Sequence, residues 1–184
     1  MNAHRLQRIS FAGLAVMALF FAMPVGAQSS EGRSNDNGTV QLVEPNLVKG
    51  LIAWIAAKTG WLVQEPPPVR FVTPTQLLKM YDEAGSSKNI QIRALYSTTT
   101  HTVYLLENWK PNDLHDRSEL LHELVHHLQA INNVKAECLA ENEPQAFNLQ
   151  FEWLREQGIQ NPYKFLDTNE LTILLISRCR EFGF

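Results

Sequence analysis

The chain has 184 residues, of which 45% are hydrophobic, and its 16 basic and 19 acidic side chains give a formal net charge of −3. This length and composition suit one domain with a substantial apolar core. A mildly acidic chain without a basic stripe also argues against nucleic acid as a binding partner.

The N-terminal segment, residues 1–27, has the three parts of a secretory signal peptide. Arg5 and Arg8 supply its positive charge, an apolar run follows from Phe11 to Met23, and Val25-Gly26-Ala27 provides small residues for cleavage. A membrane anchor is the alternative, but the run is shorter than the about 20 apolar residues that span a bilayer. We therefore predict a cleaved signal and no stable membrane anchor after cleavage.

The mature chain is predicted to be periplasmic or secreted, with a disordered polar tether at residues 28–39 and one domain at residues 40–184. Its two cysteines, Cys138 and Cys179, favour a disulfide, because an even number of cysteines in an exported chain is typically paired. Two buried free thiols are the alternative. Neither cysteine belongs to a C-x-x-C pair, which argues against a paired-thiol metal site.

Turn and capping signals divide the first half of the domain into short elements. Residues 45–60 begin with a proline and end with a glycine, as a helix does, and the apolar residues 69–72 fit a strand. Residues 73–85 start with a threonine cap and a proline, which predicts a second helix. Residues 90–97 and 101–108 are rich in β-branched and aromatic side chains, which predicts an antiparallel hairpin.

The second half of the domain is predicted to be helical. Asp116 and Glu119 resemble a capping box that starts a helix, and Asn132-Asn133 ends it. Further helices are predicted at about residues 134–157 and 168–180. The order of helix, strand, helix, hairpin and three helices predicts an α+β fold, with a small antiparallel sheet packed on the first of these last three helices.

That helix carries the segment SELLHELVHHLQ, residues 118–129, in which His122, Glu123 and His126 form an H-E-x-x-H motif. Residues four apart lie on one face of a helix, so both imidazoles can reach one metal ion about 2.1 Å away. Glu123 can then take a proton from a metal-bound water without being a ligand. The alternative is an ordinary amphipathic helix, but the start signal and the preceding hairpin favour the metal site.

Neighbouring polar residues are assigned less specific roles. His127 lies about 100° round the helix from His126, so we place it at the surface or behind a ligand rather than on the metal. Gln129 lies more nearly on the face of His126 and either orients that ligand or is an exposed polar side chain. Gln150 lies two turns beyond Glu143 and is a second candidate for orienting a ligand.

The third metal ligand must be a carboxylate or a thiolate, because no histidine follows His127. The candidates on the next predicted helix are Glu137, Cys138, Glu141 and Glu143. We prefer Glu143, because the small side chain of Ala146 on the same face would let the two helices approach closely. Pro144 disfavours helical geometry at Glu143, which would then lie at a kink or at a fresh helix start. Glu141 is the second choice.

The pattern His122-Glu123-x-x-His126 followed by Glu143-x-x-Ala146 resembles the gluzincin branch of the zincin metallopeptidases, over roughly residues 95–155. The segment is also similar to uncharacterised secreted bacterial domains of that type. The resemblance implies a zincin-like fold, Zn²⁺ as the metal, Glu143 as its third ligand and Glu123 as the general base.

The same resemblance implies that the strand before the active-site helix, residues 101–108, lines the cleft and pairs with an extended substrate. An ordinary amphipathic strand is the alternative. A donor is also needed for the developing oxyanion. The candidates are Tyr163, Tyr104 and His101, and the sequence does not favour one of them.

The predicted function is therefore that of an exported zinc-dependent hydrolase, a metallopeptidase whose substrate is a peptide or protein. Two alternatives remain: a zinc-binding module without turnover, acting on a partner protein or in metal handling, and hydrolysis of a non-peptide bond. The presence of Glu123 favours catalysis, since a purely structural site gains nothing from a base there.

Overall fold

The computed structural model describes residues 43–83 and 92–179, so the predicted signal and tether lie outside the described residues. The fold is α+β. Its elements are α1 Pro45–Thr59, β1 Val69–Val72, α2 Pro74–Glu83, β2 Ala94–Ser97, β3 Thr102–Leu106, α3 Leu114–Ile131, a 3₁₀ turn Leu139–Asn142, α4 Glu143–Glu156, α5 Pro162–Phe165 and α6 Glu170–Ile176. None of the helices in these two ranges is long and apolar enough to cross a membrane.

The three strands form a mixed sheet in the order β1-β3-β2. The predicted hairpin is confirmed, since β2 and β3 are antiparallel with Ala94 opposite Leu105. The prediction of a wholly antiparallel sheet is wrong, because β1 pairs in parallel with β3, with Val69 opposite Val103. The chain passes through α2 and β2 before it returns beside β1. Both edges of β3 are thereby occupied, so the prediction that residues 101–108 offer a free edge to a substrate is wrong.

The core surrounds α3, which packs against α1, α4 and β2. Its apolar residues are completely buried: Leu120, Leu121, Leu124, Val125 and Leu128. They meet apolar side chains such as Ile55 from α1, Leu105 from β3 and Leu154 from α4 within one cluster. Because its apolar positions spread around the helix rather than along one stripe, α3 is enclosed on several sides.

The start of α3 differs from its predicted position. Asp113 is the N-cap, and its carboxylate accepts hydrogen bonds from the backbone N–H groups of His115 and Asp116. Such a cap is worth about 0.5–2 kcal/mol. Asp116 is buried in the first turn, where its carboxylate binds the Arg93 guanidinium and the Lys110 backbone N–H. The predicted capping box was wrong because the Asp116 carboxylate instead binds Arg93, the residue just before β2. This contact attaches the start of α3 to β2.

The prediction of a continuous helix over residues 134–157 is wrong in its first part. Asn133 has a left-handed backbone (φ 51°), and after the 3₁₀ turn α4 begins at Glu143 with Pro144 in its first turn. A proline is tolerated there because the first N–H groups of a helix have no partner inside it. Of the two predicted alternatives at Glu143, a kink or a fresh helix start, the structure has the helix start.

The C-terminal part of the chain is held by a disulfide. Cys138 and Cys179 are bonded, as predicted, across a sequence separation of 41 residues. Closing such a loop stabilises a fold by about 4 kcal/mol in the chain-entropy model. The last helix, α6, is shorter than predicted because Asn169 caps it and Ser177 ends it. The bond joins the segment before Glu143 to the segment after α6.

Candidate metal centre

Three predicted ligands come together between α3 and α4. His122 and His126 lie one turn apart on α3, and Glu143 is the first residue of α4. The two Nε2 atoms are 3.1 Å apart. Oε2 of Glu143 lies 3.2 Å from Nε2 of His122, and Oε1 lies 3.4 Å from Nε2 of His126. These residues form a group that could hold a metal ion.

The distances between these atoms fit tetrahedral coordination. Two ligand atoms that are each about 2.1 Å from one ion lie about 3.4 Å apart at a tetrahedral angle. Two of the observed separations are close to this value: the two Nε2 atoms are 3.1 Å apart, and Oε2 of Glu143 is 3.2 Å from Nε2 of His122. The 3.4 Å contact of His126 is to the other oxygen of that carboxylate, Oε1. With one oxygen of Glu143 as the third donor, the ligand atoms all lie within 4.8 Å of one another, and an ion held by these three atoms would keep one of four coordination positions open.

Hydrogen bonds fix the tautomer of His126. Its Nδ1 lies 2.8 Å from Oε1 of Gln129, whose Nε2 donates to the carbonyl oxygen of Asn142 at 3.0 Å. A carbonyl can only accept, so the amide nitrogen of Gln129 must face Asn142 and its oxygen must face His126. Nδ1 of His126 therefore carries a hydrogen, and Nε2 is the nitrogen that faces the cluster.

Hydrogen bonds fix the tautomer of His122 in the same way, with one more side chain between the ring and the backbone carbonyl. Its Nδ1 donates to Oε1 of Gln150 at 3.0 Å, and Nε2 of Gln150 donates to Oγ of Ser118 at 3.2 Å. The single hydroxyl hydrogen of Ser118 is used on the carbonyl of His115, 2.7 Å away, so Oγ can only accept from Gln150. Both imidazoles thus direct Nε2 to one point, as metal-binding histidines do.

The electrostatics of the cluster favour a cation at that point. Burial lowers the pKa of His122, but the hydrogen bond to Glu143 and the charges of nearby carboxylates raise it by more, to about 9. Burial raises the pKa of Glu143, yet hydrogen bonds to His122 and His126 hold that pKa well below its usual range. A site that retains a proton so firmly also attracts a metal ion, which competes for the same lone pairs.

Glu123 lies beside the cluster and is not part of it. Its side chain is buried, and Oε2 accepts the backbone N–H of Tyr96 on β2 at 2.6 Å. Burial raises the pKa of Glu123, partly offset by the positive charges of His122 and His126. A carboxyl group with a raised pKa is better matched to accepting and returning a proton near neutral pH than an exposed one.

His127 was predicted at the surface or behind a ligand, and the structure buries it on the other side of α3. Its Nδ1 lies 3.3 Å from the hydroxyl of Tyr96, which is 2.9 Å from Nδ1 of His101. Burial lowers the pKa of His127 and raises that of Tyr96. The role of Tyr96 was missed, although the alternation of apolar residues in β2 could have indicated that its side chain points inward.

The other predicted candidates lie outside the cluster. Glu141 accepts the backbone N–H of Glu137, and Cys138 is in the disulfide. Of the three proposed oxyanion donors, His101 is bonded to Tyr96. Tyr104 lies 3.4 Å from the hydroxyl of Thr100, and Tyr163 packs against Phe151 at 4.6 Å. None of these contacts joins one of the three donors to the metal-ligand atoms within the described residues.

Comparison with known proteins gives a family but no function. A family model described as a domain of unknown function (DUF6647) matches residues 41–182. No curated protein and no solved structure matches the chain significantly. Because the matched range covers most of the 184 residues, the chain belongs to the DUF6647 family.

Proposed function

We propose that the protein is an exported zinc-dependent hydrolase, a metallopeptidase in which His122, His126 and Glu143 hold the metal and Glu123 is the general base. The observation that carries the proposal is the pair of hydrogen-bond chains that end on the carbonyls of Asn142 and His115. They turn both Nε2 atoms toward one carboxylate, that of Glu143. A helix with merely polar boundary residues has no reason to orient two histidines in this way.

Zinc is the metal that suits this donor set best. Two imidazole nitrogens and one carboxylate oxygen are a ligand set of catalytic zinc sites, which keep a fourth position open. Structural zinc sites instead tend to close all four positions with protein ligands. The buried glutamines Gln129 and Gln150 match the outer hydrogen-bond partners that orient metal-binding histidines.

When bound, the zinc ion supplies Lewis acidity, which polarises a substrate carbonyl and makes water beside it a better proton donor. Glu123 takes the proton of the attacking water and returns it to the leaving amine. The N–H of Tyr96 fixes Oε2 of this carboxylate, so proton transfer falls to Oε1. Burial keeps the carboxylate poorly solvated and therefore more basic than an exposed glutamate.

The exported location is part of the proposal and rests on the Cys138–Cys179 disulfide together with the N-terminal signal pattern. Structural disulfides persist in oxidising compartments. A peptide or protein is proposed as the substrate because a base beside a metal with one open position is the arrangement that a metal-assisted hydrolysis of amide bonds needs. The sequence resemblance to gluzincins supports the same substrate class.

The test compares the wild-type mature protein with Glu123→Gln on a proteome-derived peptide library, with zinc content measured in parallel. Glu123→Gln keeps the shape of the side chain and removes the base, so zinc should stay at about one ion per chain. Peptide cleavage should fall by roughly 10² to 10⁴. The control is Glu137→Gln, an exposed acid in the loop before the 3₁₀ turn, which should leave both values unchanged.

Each contrary outcome points to a different alternative. Zinc binding with no cleavage of any peptide by the wild type would favour a binding module or a non-peptide substrate. Equal cleavage by wild type and Glu123→Gln would remove Glu123 from the mechanism. Absence of zinc from the wild-type protein would reject the metal centre itself.

A further inference from the structure

An apolar pocket of about 200 Å³ lies between α4, α5 and α6. Most of its wall is aromatic or aliphatic and is formed by Pro144, Phe147, Phe151, Tyr163, Ile173 and Leu174. Concave apolar sites of this kind are the usual binding places for apolar ligand groups. Its residues come from three separate helices, so it exists only in the folded chain.

The pocket is adjacent to the metal-ligand cluster. The ring of Phe147 contacts the ring of His122 edge-on, with centroids 4.7 Å apart. Phe147 also contacts Phe151, and Phe151 contacts Tyr163, at centroid distances of 5.9 and 4.6 Å. Phe147 therefore contacts the proposed metal ligand His122 and also lines the pocket. A group bound at the metal would be about one side chain away from the pocket.

The opposite wall of the pocket is α6, and the disulfide fastens it. Cys179 lies three residues after the end of α6, and Cys138 lies five residues before Glu143. The bond thus ties the helix that carries Ile173 and Leu174 to the segment that delivers the third ligand. Leu174 lines the pocket yet is 52% exposed, which indicates that the pocket opens to solvent at this residue.

We propose that this pocket binds one large apolar side chain of the substrate, aromatic or branched aliphatic, from the residue beside the bond that is cleaved. This inference rests on the proposed peptidase function. Burying a large apolar side chain in place of alanine typically changes binding by about tenfold to 100-fold. Substrates with phenylalanine or leucine next to the cleaved bond should be preferred by that factor.

A negative charge in the pocket lining makes the expected substrate preference more specific. Glu170, the first residue of α6, contributes to the lining. A carboxylate at the entrance repels an acidic side chain, and the apolar interior offers such a side chain no hydrogen-bond donor of opposite charge. Aspartate and glutamate should therefore be the residues that are most strongly rejected beside the cleaved bond.

The experiment uses two matched substitutions on α6, Leu174→Asp and Leu175→Asp. Both leucines are exposed, at 52% and 57%, but Leu175 lies outside the pocket lining. Binding is measured by NMR titration of the zinc-loaded protein with N-acetyl-phenylalanine amide and with N-acetyl-alanine amide. The wild type and Leu175→Asp should bind the phenylalanine compound at least about tenfold more tightly than the alanine compound. Leu174→Asp should lose this difference.

A second pair keeps the test independent of folding. If an aspartate on this short helix prevents folding, Leu174→Trp should fill the pocket and weaken binding of the phenylalanine compound, while Leu175→Trp should not. Equal binding of both compounds by the wild type, or equal behaviour of the two positions, would overturn the pocket assignment.

Peptide cleavage separates failure of the pocket from failure of the peptidase proposal. Cleavage without preference for apolar residues, or with a preference that survives Leu174→Asp, would reject the pocket while the peptidase function stands. Selective binding of the phenylalanine compound, lost in Leu174→Asp, in a protein that cleaves no peptide would reject the peptidase function and retain the pocket's ligand class.

Discussion

The two polar faces of α3 differ in how their side chains are held. On the face toward α4, His122 and His126 are each bonded through Nδ1 to a glutamine amide that is fixed in turn by other groups. On the face toward β2, Oε2 of Glu123 accepts one backbone N–H, and Nδ1 of His127 lies 3.3 Å from a tyrosine hydroxyl. The first arrangement specifies ring orientation and tautomer, whereas the second leaves one carboxylate oxygen available.

This difference separates two adjacent histidines that the sequence alone makes look equivalent. His126 and His127 follow each other in the chain, but they are separated by about 100° around the helix and therefore contact different residues. The face toward α4 carries the group that could hold a cation. The face toward β2 carries Glu123, the proposed base. The following variants test the difference between the faces.

The largest effect is expected from the pair His126→Phe and His127→Phe. Phenylalanine keeps the planar ring and removes both nitrogens. His126→Phe should reduce bound zinc from about one ion per chain to nearly none, measured by metal analysis after dialysis. His127→Phe should retain the metal, with a stability change of about 1 kcal/mol in a denaturant titration. Loss of zinc from both variants would contradict the division of α3 into two faces.

Replacing the third ligand should have the next largest effect. Glu143→Gln removes a charge from the metal-binding group, so zinc affinity should fall by more than about 100-fold, beyond the usual effect of an outer hydrogen-bond partner. The matched variant Glu141→Gln alters an exposed acid on the 3₁₀ turn two residues earlier. Competition with a chelating dye measures both. A larger loss in Glu141→Gln would show that the third ligand is Glu141.

The outer hydrogen bonds of the metal face should matter less. Gln150→Leu preserves the volume of the side chain and removes the acceptor of the His122 Nδ1–H group. Zinc affinity should fall by about tenfold to 100-fold. Gln157→Leu, an exposed change at the end of the same helix, is the control. Unchanged affinity in Gln150→Leu would show that ring orientation does not depend on this amide.

The smallest expected effect is the dependence of zinc affinity on pH, expressed per pH unit. Zinc must displace the proton held by His122, whose pKa is about 9, so affinity should rise by up to about tenfold per pH unit from pH 6.5 toward 9. The raised pKa also stabilises the metal-free fold. That contribution is complete below about pH 6.5 and is lost as the pH rises through about 9. Both trends should flatten in Glu143→Gln, and a flat wild-type profile would contradict them.

Much of the site could be predicted because its geometry is local. The spacing of His122 and His126 places them on one helical turn whatever the rest of the fold does. Glu143 was the preferred third ligand because Ala146 indicated a close helix contact, and Ala146 is completely buried. Pro144 counted against helical geometry at Glu143 and left a kink or a fresh helix start, and α4 does begin at Glu143. The suggested contacts of Gln150 with His122 and of Gln129 with His126 are present as hydrogen bonds.

Predictions that depended on distant pairing were wrong. The parallel contact between β1 and β3 joins residues more than 30 positions apart, and no local pattern fixes the direction of such a pair. The helical pattern after residue 133 was overridden by a left-handed backbone at Asn133 and by the 3₁₀ turn. The capping box at Asp116 was a valid local pattern, but the carboxylate is used in a buried contact with Arg93.

The sequence by itself determined the helix that carries His122, Glu123 and His126, because backbone periodicity and capping depend on neighbouring residues. It also determined the only two cysteines that could pair. Tertiary structure alone decided that Glu143 faces both histidines, that Tyr96 holds Glu123, and that Phe147 separates the ligand cluster from an apolar pocket. These contacts join different elements, and their geometry follows from how α4, β2 and α6 pack around α3, which no local periodicity encodes.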